Sequence, residues 1–121
     1  MLESENTSKK GKEKRMLYGE RLLFGDMWVE VNGSIASVGI TKNLEMELGD
    51  IVMFEFFKTS GYIQQGEEFA RIESIYKTYT LKSPVSGYIR WVNRELPFDP
   101  TLLNLLPEET EIISIDIQQL V

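Results

Sequence analysis

The chain of 121 residues contains no cysteine and no histidine. Without cysteine it can form no disulfide, no thiolate metal site and no cysteine nucleophile. Without histidine it lacks the usual general base at neutral pH and the commonest metal ligand in proteins. These absences argue against a hydrolase or a metalloenzyme, and to a lesser degree against enzymes in general. We therefore expect no metal site and no catalytic residue.

Long apolar runs are also missing, and the chain starts with polar residues rather than with a signal peptide. We expect a cytoplasmic protein with no membrane partner. The net charge of −6 is unevenly distributed, because residues 1–15 carry five basic and three acidic groups. The rest of the chain is strongly acidic and should repel phosphate backbones, so we expect no nucleic-acid partner.

Composition along the chain predicts three parts. Residues 1–15 are interpreted as a disordered basic tail, because they are polar and show no apolar periodicity. Residues 16–27 are interpreted as an N-terminal arm or a short helix that packs on the body. Residues 28–121 are long enough for one domain with one core. Their many short strands, separated by glycine turns, predict a mainly β fold, a barrel or sandwich with short flanking helices.

Local signals place the first elements of this domain. Asn32-Gly33 predicts a tight hairpin turn between strands at 28–31 and 35–40, since both residues tolerate positive φ. Thr41 is predicted to cap a short helix that ends at Gly49.

Alternation of apolar and polar residues predicts the later strands. The strand at 50–57 should point one almost wholly apolar face inward, since Ile51, Met53, Glu55 and Phe57 alternate with Val52, Phe54 and Phe56. In the strand at 87–92, Ile89 and Trp91 should share one face.

A further helix is predicted from its ends: Asp99 is the expected cap and Pro107 ends the helix. Trp28, Trp91 and Phe98 are interpreted as packing residues of the core or its edge. Asn93 and Asn104 are expected to satisfy backbone groups in turns and at helix ends.

One pair of segments carries a family resemblance, namely Glu73-Ser74-Ile75-Tyr76-Lys77-Thr78 and the following Ser83-Pro84-Val85-Ser86-Gly87. Together they resemble the attachment hairpin of the glycine cleavage system H protein. Further landmarks follow in the order of that family, at similar intervals, from Trp28 to Ile117. They are Val38-Gly39-Ile40-Thr41, Leu48-Gly49-Asp50-Ile51-Val52, Gly66-Glu67, Val92-Asn93 and Leu103-Asn104.

This resemblance implies a barrel-sandwich hybrid of the lipoyl/biotinyl type. H proteins have no catalysis of their own, and a lysine at the hairpin tip carries lipoate. The lipoyl arm collects an aminomethyl group from glycine decarboxylase, presents it to aminomethyltransferase and is reoxidised by dihydrolipoamide dehydrogenase. Tethering gives the arm a high effective concentration at each partner.

The chain departs from the family at this attachment position, where the resemblance places Tyr76 instead of lysine. A phenol forms no stable amide. Lys77 lies one residue later, and in an extended strand successive side chains point to opposite faces. We therefore expect no cofactor and a domain that docks on proteins through this hairpin. The alternative is a working lipoyl carrier that uses Lys77, and an enzyme is a third class.

The candidate docking residues are Glu67, Glu73, Tyr76 and Lys77. The partners implied by the resemblance are glycine decarboxylase, aminomethyltransferase, dihydrolipoamide dehydrogenase and a lipoate-attaching enzyme. Tyr79 is interpreted as a strand residue that packs on its neighbours. Two other segments differ from the family, because Asp26-Met27-Trp28 replaces a lead-in that contains histidine and residues 107–110 lack the usual aromatic and glycine run.

Overall fold

A computed structural model describes residues 21–117 of the chain, so the predicted tail 1–15 lies outside the described residues. The described part forms nine strands and two short helices. Their bounds are β1 Arg21–Phe24, β2 Met27–Asn32, β3 Ile35–Ile40, α1 Lys42–Leu48, β4 Ile51–Phe56, β5 Tyr62–Ile63, β6 Glu68–Ser74, β7 Thr78–Lys82, β8 Gly87–Val92, α2 Leu102–Leu105 and β9 Ile113–Asp116.

The strands form two sheets around one core. The larger sheet has the order β1-β2-β3-β9-β8-β5, the smaller one has the order β4-β6-β7, and every paired strand is antiparallel. Val29 and Ile115 of the larger sheet share a buried apolar cluster with Phe54 and Phe69 of the smaller sheet. The predicted mainly β architecture with short flanking helices is therefore confirmed.

The first hairpin corrects one alternative of the sequence analysis, the short helix at 16–27. Residues 16–20 lie outside the described part, and Arg21–Phe24 forms a strand that pairs with β2. Gly25, with φ of 63°, lies in the two-residue turn where β1 folds back. Leu22, Leu23 and Phe24 are all exposed. Because these three consecutive residues are all apolar, the run lacks the alternation of apolar and polar residues that would have predicted a strand.

The second hairpin forms as predicted, with its turn shifted by one residue. Asn32 is the last residue of β2 and pairs with Ile35, so Gly33 and Ser34 occupy the turn. Gly33 has φ of 68°, the left-handed conformation that the sequence pattern required.

Trp28 is a buried core residue, as predicted, with 3% of its surface exposed. Its indole ring lies directly against the backbone of Gly39, where a Cβ atom would overlap the ring. The indole N–H donates a hydrogen bond to the Pro107 carbonyl at 3.1 Å. On another side, the Arg21 guanidinium lies 3.9 Å from the ring centroid and covers it. The strand β1 therefore contributes a cationic cover to a core aromatic ring.

A β-bulge in β4 overturns part of the predicted alternation. The pairing register between β4 and β6 shifts between Ile51 and Met53. Because of this extra residue, Ile51 and Phe54 both enter the core, whereas Val52 is 57% exposed. Val52 and Phe54, which the predicted alternation places on one face, therefore point in different directions.

A second bulge lies in β8, where Ile89 pairs with Ile115 and Trp91 pairs with Ser114. Arg90 is the additional residue on this strand. Trp91 is consequently 45% exposed and does not share the inner face with Ile89. Of the two predicted positions for Trp91, in the core or at its edge, the exposure of 45% excludes the core.

Helix α1 has the predicted ends. The Thr41 hydroxyl accepts a hydrogen bond from the Leu44 amide at 3.2 Å, and Gly49 ends the helix with φ of 75°. Leu44 and Leu48 are its buried residues.

Helix α2 is a single turn and is shorter than predicted. Thr101 precedes it without a side-chain capping bond, and the Asp99 carboxylate instead accepts a hydrogen bond from the Thr101 hydroxyl. Phe98 is 90% exposed and packs in no core. Within residues 21–117, neither helix has the length and apolar character needed to cross a membrane.

Candidate functional site

The hairpin between β6 and β7 turns through Ile75, Tyr76 and Lys77. Ser74 organises this turn, because its hydroxyl oxygen accepts hydrogen bonds from the amides of Tyr76 at 3.2 Å and Lys77 at 3.1 Å. The Ser74 amide and hydroxyl both donate to the Lys77 carbonyl. Serine is a residue that closes turns in this way. The sequence thus builds a short, well-bonded apex that the structure leaves at the surface.

The apex exposes two apolar side chains. Tyr76 is 74% exposed and Ile75 is 56% exposed. Lys77 and Thr78 are exposed as well. We define the hairpin tip as Ile75, Tyr76 and Lys77.

The hairpin tip rests on the loop between α1 and β4. A Cβ atom added to Gly49 would lie 2.8 Å from Cε2 and 2.9 Å from Cδ2 of Tyr76, so the tyrosine ring occupies the space that a side chain would need. The Ile75 amide donates a hydrogen bond to the Asp50 carbonyl at 2.9 Å. Gly49 is therefore required for its positive φ, and the Tyr76 ring takes up the space beside it.

Asn104 of α2 holds this supporting loop. Its Oδ1 accepts a hydrogen bond from the Ile51 amide at 2.8 Å, and its Nδ2 donates to the Gly49 carbonyl at 2.9 Å. The same Nδ2 donates to Glu45 Oε2 at 2.9 Å. The prediction that Asn104 satisfies backbone groups is confirmed. What the sequence could not indicate is that these groups belong to the loop beneath the hairpin tip.

Tyr79, near the start of β7, connects the smaller sheet to the first hairpin. Its hydroxyl donates a hydrogen bond to Asp26 Oδ2 at 2.8 Å. Burial raises the pKa of Tyr79 to about 12, and the carboxylates of Asp26 and Glu47 add to this rise. Sequence reasoning assigned Tyr79 to packing alone and missed this bond, because a pairing of residues so far apart in the chain leaves no local signal.

The structure divides the predicted docking residues into two groups. Glu73 is the second-last residue of β6, beside the hairpin tip, and it pairs in register with Thr78. Glu67 instead precedes β6, whose seven residues extend for about 20 Å. Glu73, Tyr76 and Lys77 therefore lie together, whereas Glu67 lies at the opposite end of the strand.

Glu67 has a local structural task at that opposite end. Its carboxylate accepts a hydrogen bond from the Gln64 amide at 2.9 Å and pairs with the Lys58 ammonium at 2.9 Å. The bond from the Gln64 amide, followed by the bond from Lys58, lowers the pKa of Glu67. The prediction that Glu67 and Glu73 border one tip is therefore corrected. Across residues 21–117, the acidic side chains form no group of three or more that could hold a metal ion.

Comparison with known proteins identifies the family. The family model described as "Glycine cleavage H-protein" matches residues 20–120. The chain belongs to the glycine cleavage H-protein family. The predicted resemblance is thereby confirmed.

Individual relatives agree with this assignment. A glycine cleavage system H protein of Staphylococcus epidermidis is 39% identical over 82 residues, which cover 68% of this chain and 65% of the relative. The protein of a second strain is 38% identical over the same length. The match thus spans just under two thirds of each relative's own length.

A solved structure supports the fold. The crystal structure of a glycine cleavage system H protein from Mycobacterium marinum superposes with a TM-score of 0.74 at 24% identity, and the match covers 85% of this chain and 87% of that one. The predicted barrel-sandwich hybrid is confirmed.

In this H-protein family member, replacing Asn104 should loosen the support of the hairpin tip. Asn104→Ala removes three hydrogen bonds and leaves the Ile51 amide and the Gly49 carbonyl without their partner. We expect the free energy of unfolding in urea to fall by about 2 kcal/mol. Hydrogen exchange at the Ile75 amide should also become faster.

Asn43→Ala is the matched control, because Asn43 is an exposed residue of α1. This variant should change stability by about 0.5 kcal/mol at most. Equal effects of the two substitutions would show that the Asn104 bonds contribute nothing to the tip.

Tyr79 should make the stability of the H-protein fold depend on alkaline pH. Its pKa is about 12 in the folded protein against 10.0 for an ordinary tyrosine, so the folded state holds the proton more tightly. The resulting stabilisation is complete below pH 10 and is lost as the pH rises through 12. The stability advantage of the wild type over Tyr79→Phe should therefore be constant near neutral pH and should shrink above pH 10.

Asp26→Asn tests the cause of this shift, since it keeps a hydrogen-bond acceptor but removes the charge. Spectrophotometric titration should give a lower Tyr79 pKa that still exceeds 10.0, because burial is the larger cause. An advantage over Tyr79→Phe that grows above pH 10 would contradict this account.

Proposed function

We propose that this chain is an H-protein family member that carries no lipoate and acts by docking on protein partners through the hairpin tip. The observation that carries the proposal is Tyr76, which stands at the apex with 74% of its surface exposed. By the resemblance described above, this is the position of the family's attachment lysine.

The tip residue does not fit the prosthetic group of the family. Attachment of lipoate requires an amine that forms a stable amide, and Tyr76 offers a phenol. The Tyr76 ring also packs on Gly49 instead of extending freely from the surface. The function proposed here passes through no lipoyl group and requires no catalytic residue of the chain.

Protein docking is the task for which the tip is suited. Tyrosine is enriched among the residues that dominate the binding energy of interfaces, because its ring offers large contact area and a polar hydroxyl. Ile75 adds exposed apolar surface beside Tyr76, and Glu73 and Lys77 supply one charge of each sign. The proposed partners are glycine decarboxylase, aminomethyltransferase, dihydrolipoamide dehydrogenase and a lipoate-attaching enzyme.

A lipoyl carrier that uses Lys77 is the second candidate, and one observation favours it. Lys77 lies in the same turn, its side chain is exposed, and it forms no ion pair with another residue of the part 21–117. The position of Lys77 argues against this candidate. Lys77 follows the family's attachment position by one residue, so its amine points in a different direction from the side chain of residue 76.

Intact-mass spectrometry distinguishes these candidates when the chain is expressed with a lipoate ligase and lipoate. We expect no lipoyl adduct on the wild type, because position 76 carries a phenol and the Lys77 amine is displaced by one residue. Tyr76→Lys should gain the adduct, since it restores an amine at that position. A wild-type adduct that disappears in Lys77→Arg would establish the carrier and overturn the proposal.

Calorimetry with each purified enzyme named above tests the docking itself. Tyr76→Ala should weaken the tightest of these interactions about tenfold, because it removes the largest exposed side chain of the tip. Tyr62→Ala is the matched control, since Tyr62 is a 45% exposed tyrosine of β5 outside the tip. If Tyr76→Ala combined with Lys77→Ala leaves every interaction unchanged, the tip is not the docking surface.

A further inference from the structure

A second surface, separate from the hairpin tip, lies on β8 and the segment that follows it. The bulge at Arg90 turns two consecutive side chains, Arg90 and Trp91, to the exterior, whereas Val92 is buried. In a regular strand, one of two neighbours would point inward. Bulges often occur where a strand has to re-aim a side chain at a functional position.

The segment after β8 holds an aromatic residue away from the body. Phe98 is 90% exposed, although it follows the fully buried Leu96 by only two residues. The Glu95 carbonyl accepts hydrogen bonds from the amides of Phe98 at 3.0 Å and Asp99 at 2.7 Å. These bonds and the buried Leu96 fix the loop, so little conformational freedom remains to be lost when Phe98 is covered.

Asn93 bonds to backbone groups, as the sequence predicted, and through these bonds it anchors the base of this loop. Its Nδ2 donates to the Glu111 carbonyl at 2.9 Å and its Oδ1 accepts from the Glu95 amide at 3.1 Å. The loop is therefore bonded at its start to the chain that leads into β9. The high exposure of Phe98 is the result of a defined loop conformation.

Two shallow cavities adjoin along this surface. The first has a volume of about 370 Å³ and is lined by Arg90, Trp91, Asn93 and Arg94, among others. The second has a volume of about 430 Å³ and is lined by Arg94, Glu95, Phe98 and Asp99. They share Arg94 and Glu95. We define the β8 surface as Arg90, Trp91, Arg94 and Phe98.

The charge of the β8 surface differs from that of the rest of the chain. The net charge of the chain is −6, yet Arg90 and Arg94 are exposed and form no ion pair within residues 21–117. By contrast, Arg21, Lys42, Lys58 and Arg71 each pair with a carboxylate. The first cavity thus combines two guanidinium groups, which have no ion-pair partner in the described part of the chain, with one acidic residue, Glu95.

We propose that the β8 surface is a docking site for a protein segment that combines acidic and apolar residues. Carboxylates of this segment pair with Arg90 and Arg94, and its apolar side chains cover Trp91 and Phe98. Arginine, tryptophan and phenylalanine are the residue types enriched at interfaces, and guanidinium binds carboxylate through two parallel hydrogen bonds. The proposal uses no residue of the hairpin tip, so it stands independently of the function proposed above.

A labelled peptide tests the proposal with the full chain. The probe is a short fluorescein-labelled peptide of repeating Asp-Asp-Leu-Leu, and binding is followed by fluorescence anisotropy. The double variant Arg90→Gln/Arg94→Gln should weaken binding about tenfold or more, and so should Trp91→Ala/Phe98→Ser. Raising the salt concentration should weaken wild-type binding as well. Near-UV circular dichroism checks that these surface variants stay folded.

Matched controls locate the binding. Lys82→Gln removes an exposed positive charge outside the β8 surface, and Tyr76→Ala removes the apex of the hairpin tip, so both should bind the peptide as the wild type does. Acrylamide quenching gives a second readout. Trp91 is 45% exposed and Trp28 is 3% exposed, so shielding by the peptide should reduce the quenching of Trp91.

Four results would overturn the proposal. They are an absence of binding, equal binding of a peptide of repeating Asp-Asp-Ser-Ser, binding that is lost only in Tyr76→Ala, and self-association of the chain that Phe98→Ser abolishes. The second would indicate attraction by charge alone, and the last would identify another copy of the chain as the occupant. Unchanged enzyme binding in Tyr76→Ala would count against the hairpin proposal and not against this one.

Discussion

The side-chain amide of Asn104 connects parts of the chain that no strand pairing joins. It bonds the end of α1 and the start of β4 at the same time, through Gly49 and Ile51. The loop held in this way supplies the carbonyl of Asp50 to the amide of Ile75. A hairpin apex with most of its apolar surface in water needs such support, because its own side chains bury too little area to hold its position.

Bulges decide which side chains the two sheets present to solvent. In an antiparallel strand the alternation of faces is strict, so one additional residue reverses every position that follows it. At β4 the reversal brings Ile51 and Phe54 into the core, and at β8 it exposes Arg90 and Trp91 together. The same device thus completes the core in one sheet and shapes the outer surface in the other.

Features with a local cause could be predicted from the sequence, such as the Thr41 cap, the Gly49 end of α1 and the glycine turn after β2. Family landmarks indicated the barrel-sandwich fold, and the hairpin motif indicated an exposed Tyr76.

Features with a distant cause could not be predicted. The bond between Tyr79 and Asp26 joins residues that are 53 positions apart. The bulges depend on the partner strand, and the position of Glu67 at the far end of β6 depends on where that strand begins. Phenylalanine is usually buried, so its residue type led to the prediction that Phe98 is a packing residue. The structure instead exposes 90% of its surface.

The contact between the Tyr76 ring and the Gly49 backbone affects how one bound partner would be exchanged for the next. A long tethered arm can leave one active site and enter the next while its carrier stays in place. A ring seated against the main chain has no such reach, so it can engage only what comes within van der Waals distance of the apex. For the docking proposed above, exchange between partners would require release of the entire domain, and its rate would be set by dissociation rather than by the motion of a side chain.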